Sequence, residues 1–155
     1  MDLDPTVVHV AVRWLHVAAM ATALGGAITV LALATRPRAD SASAVVAVAT
    51  RYEWLFWAAA GILVMTGIGN LAGFGAALLG PSTEWGATLV LKLGLVLLLL
   101  VLSLPRTLAV ARISVSDEAD GRRSIAALRN LYAATTAAFA VILALALWLA
   151  HGVGE

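Results

Sequence analysis

The chain has 155 residues, of which 62% are apolar and only 12% charged, with a mean hydropathy of +0.97 and a net charge of +1. A soluble domain of this size cannot bury so much apolar surface, so the composition marks an integral membrane protein. There is no cysteine, which excludes disulfides, thiolate metal sites and iron–sulfur clusters.

Four apolar stretches each exceed the ~20 residues that a helix needs to cross the hydrocarbon. They predict an all-α fold, a four-helix transmembrane bundle forming a single integral membrane domain over residues 1–155. None shows the period-2 alternation of a barrel strand. The first helix is expected at about 6–34. Asp4 before Pro5 is an N-cap followed by proline at the first helical position. The acidic start (Asp2, Asp4) and the length of the apolar run argue against a signal peptide. Gly25 and Gly26 lie in its inner half, where small residues let helices approach.

The second helix is expected at about 53–79. It carries Gly69 and Gly73 at the spacing of a packing motif. The third is expected at about 85–104, with an extension past Pro105 to about 115. The fourth spans about 130–150, with 122–129 as its charged start. Trp54, Trp57, Trp85 and Trp148 suit the interfacial aromatic belts.

Eight of the ten Lys and Arg fall in the first and third connections: Arg36, Arg38, Arg51, Arg106, Arg112, Arg122, Arg123 and Arg129. The termini and the second connection carry acids, namely Asp2, Asp4, Glu84 and Glu155. The positive-inside rule then predicts both termini on the outer side of the cell membrane. These arginines are explained by topology, so nucleic-acid binding has no support.

Arg13 and Lys92 lie within helices instead. The first helix reads His9, Arg13, His16, Met20, spaced 4, 3 and 4, which is one helical face. Arg and His are costly against lipid, so this stripe is expected to face the bundle. At ~1.5 Å per residue His9 lies roughly 5 Å deep, Arg13 and Lys92 roughly 10 Å, and His16 roughly 15 Å. His151 returns to the outer surface near His9, and Asn70 lies in the outer half. The expected result is an outer polar cavity walled by His9, Arg13, His16, Asn70, Lys92 and His151, with Met20 and Met65 at its floor. No Asp or Glu shares the depth of Arg13 and Lys92. Three things would balance them: Glu84 bending in from the surface, a Lys92 left neutral by desolvation, or an anionic ligand such as haem propionates.

Arg13-Trp-Leu-His16 with Gly25-Gly26, Met65-Thr66-Gly67-Ile68-Gly69-Asn70, and Leu89-Val-Leu-Lys92-Leu-Gly-Leu together resemble the helices of copper-resistance protein D (CopD-like) domains. The related HemJ-type protoporphyrinogen oxidases share the His-then-small-pair pattern and the helix-three lysine. The first resemblance implies copper handling across the inner membrane. The second implies b-type haem, with His16 and Lys92 as the matching functional residues. The third helix continues after Lys92 as Leu-Gly-Leu-Val-Leu-Leu with no following histidine, unlike the HemJ pattern.

Three functions are therefore expected, in this order. The first is haem b binding in a redox or electron-transfer role, ligated by His16 or His9 with His151, and with a redox partner. The second is copper binding or transport through His9, His16 and His151 with Met20 and Met65. The third is a helper subunit of a membrane complex, which leaves a homo-oligomer open. Any enzymatic role would be that of an oxidoreductase, because nothing resembles a nucleophile–base pair or phosphate loop.

Overall fold

The computed structural model describes residues 4–35, 42–72, 80, 82–113 and 121–151. The described residues form four helices: α1 (Pro5–Thr35), α2 (Ala42–Ala72), α3 (Glu84–Ile113) and α4 (Gly121–His151). All four are long and apolar enough to cross a membrane. Asp4 caps α1, its Oδ1 accepting from the Thr6 backbone N–H at 2.8 Å. Hydrogen bonds from the backbone and side chain of Thr6 hold this carboxyl below the usual carboxylate range. Thr83 caps α3 in the same way, through the N–H of Gly86 at 3.0 Å.

The expected start of the second helix is corrected. α2 opens at Ala42, so Arg51 and Glu53 stand on a helix and not at its threshold. The reason is packing: Val45, Ala49, Tyr52, Phe56 and Ala59 are buried at helical spacing and form one stripe through the supposed boundary. With 31 residues, α2 is about 46 Å long, well beyond the ~30 Å of hydrocarbon. The expected end of that helix, at residue 79, lies outside the described residues, as does Gly73 of the expected packing motif. α3 runs unbroken through Pro105 to Ile113, and α4 starts at Gly121.

α1 packs closely on α2 and α4, and α3 packs on α4. α3 touches α2 more lightly, and α2 meets α4 across the bundle. With outer naming only the end of the bundle that carries Asp4 and inner the opposite end, the inner half is closed by small residues on α1, where Ala19, Ala23, Ala27, Val30 and Ala34 are all buried. Gly26 takes the closest approach. A Cβ there would sit hard against Cδ2 and Cε2 of Tyr52. That ring has nowhere to go, because Tyr52 is buried and its hydroxyl donates to the carbonyl of Ala23 at 2.8 Å. Gly26→Ala is therefore expected to lower stability by roughly 1–3 kcal/mol through overpacking. Thermal unfolding in detergent checks this, and an unchanged midpoint would mean that α1 and α2 are farther apart. Gly25 has open space around its Cα and plays no such part.

Candidate functional site

Two polar layers lie along the bundle axis. The outer one centres on His16. Its Nδ1 lies 2.7 Å from Thr66 Oγ1 on α2, while that same hydroxyl lies 2.6 Å from the carbonyl of Ile62. Thr66 has a single proton, and a carbonyl can only accept it. The hydroxyl therefore donates to Ile62, and His16 Nδ1–H donates to Thr66. This assigns the tautomer: Nε2 carries the free lone pair. The Gly67 backbone passes close to the same ring, whose Cε1 would lie 3.9 Å from a Cβ built there. Lys92 on α3 is half-buried and close enough to act electrostatically on His16. The structure thus joins His16 on α1 to Thr66 on α2, with the half-buried Lys92 on α3 within electrostatic range of the pair.

Other expected wall residues behave differently. His9 and Arg13 are exposed, so the expectation that the whole stripe is shut inside the bundle is corrected. Among the described residues, α1 is fully buried only from Ala19 inward, and before it Val12 rests on Gly69. Met65 is 73% exposed and turns away from the bundle, which removes it from the cavity floor. It neighbours Thr66 in sequence, and a one-residue step rotates a helical side chain to another face. Met20 stays half-buried against the core, one turn inward of His16. Asn70 and His151 belong to α2 and α4, but their side chains lie outside the described residues. Among the described residues, no group of three His, Cys, Asp or Glu converges as a metal site.

The inner layer was not anticipated. Arg106, assigned above to a basic connection, is 1% exposed and forms an ion pair with the buried Glu53. The pairing is two-pronged: Nε donates to Oε1 at 2.9 Å and Nη2 to Oε2 at 3.1 Å. The hydroxyl of Tyr132 donates to Oε1 at 2.6 Å and that of Thr107 to Oε2 at 2.5 Å. Arg106 Nη1 donates to Thr135 at 3.0 Å. Its guanidinium carbon also sits 4.3 Å from the Phe56 ring centroid. Trp57, expected in an interfacial belt, turns inward and donates from Nε1 to Thr107 at 3.0 Å. Trp54 and Trp148 do face outward, at 80% and 73% exposure.

Every charge in this inner layer is matched, so it acts as a staple joining α2, α3 and α4. Sequence signals for it existed. An acid and an arginine both occur within long helices, and Tyr132 and Thr135 share a face of α4. Without the pairing, each charge reads as a helix boundary.

Residues 46–149 match the model of the copper resistance protein D family. The chain belongs to that family. No curated protein and no solved structure matches it. The copper resistance protein D match takes in Thr66 and Lys92 of the outer layer and all of the inner one. His16 precedes the matched stretch, and ties itself to it through Thr66. Membership links the chain to copper resistance as a multi-pass membrane protein in contact with the lipid bilayer.

Proposed function

We propose that this protein handles copper within the cell membrane, with His16 as the side chain that meets the ion. One observation carries the reading: the His16–Thr66 hydrogen bond leaves Nε2 as a bare lone pair in a half-buried setting. A metal-ligating histidine almost always donates its other N–H to a fixed acceptor, which sets ring orientation and raises basicity. Imidazole suits copper, and a thioether suits the cuprous ion. Met20 follows His16 by four residues, on the same helical face, and serves as the second ligand. Lys92 opposes the ion's charge and weakens the hold on it, which favours transfer over storage. His9, exposed at the outer end, and His151 provide first contact. The asymmetry of the basic residues supports both termini on the outer side, even with Arg106 withdrawn from the count.

The haem b expectation relied on Arg13 and Lys92 facing one cavity. Arg13 is exposed, so that argument keeps only one of its two cations. Copper loading of the purified protein, followed by elemental analysis, tests the reading. Near-stoichiometric retention is expected in the parent protein and loss of it in His16→Ala. No retained copper in the parent protein would sink the proposal, and a b-type absorption spectrum from the same preparation would restore haem to first place.

A further inference from the structure

We propose that α3 is a hinged arm: its outer segment, Glu84–Leu104, swings about Pro105 while its inner segment stays pinned. Three independent observations converge on this. The first concerns burial. The buried residues of α3 are Gly86, Leu99, Ser103, Arg106 and Val110, so from Ala87 to Leu98 nothing is fully enclosed. Val90, Leu91, Leu93, Leu97 and Leu98 are exposed along that stretch. Its contact with α2 is light.

The second is the weakness of the helix at the pivot. Pro105 lies inside α3 and has no N–H, so the carbonyl of Val101 loses its helical partner. Hydroxyls flank this gap on both sides. Ser103 Oγ donates back to the carbonyl of Leu99 at 2.7 Å, while the Thr107 hydroxyl, whose one proton goes to Glu53, lies 3.0 Å from the carbonyl of Ser103. Such back-bonding next to a proline bends helices and lets the freed carbonyls find substitute donors as the angle changes.

The third is the anchor. The residues directly after the proline, Arg106 and Thr107, are those held by Glu53, Thr135 and Trp57. The inner segment is fastened by charge, and the outer segment packs against the core through the half-buried Leu95, Val96 and Leu100. Lys92 rides on the moving part, so a swing carries it away from His16 and opens the seam between α2 and α3. That this opening serves metal entry rests on the copper reading above; the hinge itself does not.

The chain contains no cysteine, so introduced cysteines are unique labelling points. Spin labels at Val64→Cys and Leu91→Cys report across the outer seam. Labels at Leu55→Cys and Leu108→Cys report across the pinned inner one. All four positions are exposed. A 20° change at the proline moves Leu91, roughly 21 Å along the helix, by about 7 Å. Pulsed dipolar distances in lipid nanodiscs should show two populations for the outer pair, separated on this scale, and one for the inner pair. Pro105→Ala should remove the longer outer population. A single outer population as narrow as the inner one, or two populations that survive Pro105→Ala, would overturn the hinge. Copper retention is measured separately, so its outcome bears on the copper reading and leaves the hinge to the distances.

Discussion

Glu53→Gln or Arg106→Met alone is expected to cost the fold about 3–5 kcal/mol, the scale seen when one partner of a buried ion pair is removed. The geometry explains why so much is at stake. Glu53 receives four donors, from Arg106 twice, Tyr132 and Thr107. Losing the carboxylate leaves a guanidinium among Tyr52, Phe56 and Tyr132, where it has aromatic faces but no anion. Losing the guanidinium leaves a carboxylate with hydroxyl partners only. The double change Glu53→Gln with Arg106→Met removes both charges and should recover a good part of the loss, because paired removal avoids the uncompensated charge. Unfolding in mixed micelles, followed by tryptophan fluorescence, reads all three. Additive losses in the double variant would mean that the two side chains do not act as a pair.

Thr66→Val is expected to weaken copper binding about 10–100-fold, the usual effect of removing the acceptor behind a ligating histidine. Valine keeps the shape of threonine and removes the oxygen. His16 Nδ1–H then loses the partner that holds the ring, and the imidazole is free to turn or to move its proton to Nε2. Thr66→Ser keeps the oxygen and should bind as the parent does. Competition against a copper(I)-chelating dye gives the three affinities. Parental affinity in Thr66→Val would show that the hydrogen bond does not prepare His16, and the copper reading would lose the observation that carries it.

The two sites differ in how visible they were in one dimension. His16 and Lys92 stood out because an ionisable residue deep in an apolar run is conspicuous wherever its partner lies. Glu53 and Arg106 did not stand out. Arg51 and Glu53 together resemble the polar edge of a span, and Arg106 after Pro105 resembles a loop arginine. Both are common features of membrane sequences, and only the burial of Val45, Ala49 and Tyr52 shows that α2 continues past them. Trp57 was misplaced for the same reason. Tryptophan suits a bilayer interface, and its hydrogen bond to Thr107 depends on how α2 and α3 face each other.

The sequence by itself determined that four helices, each long and apolar enough to cross a membrane, stand among the described residues. Length and hydropathy are properties of each segment alone, and a backbone in hydrocarbon must satisfy its own hydrogen bonds. It also determined the cap at Asp4, which is a local property of one helix end. Only the tertiary structure decided that Glu53 meets Arg106, that Thr66 orients His16, and that Met65 and Arg13 face outward. Each of these depends on the rotation and level of one helix against another, and helix packing is set jointly by small residues such as Gly26 and by rings such as Tyr52 that lie far apart in the chain. A span records which residues are buried in the bilayer, and the bundle alone settles which of them meet.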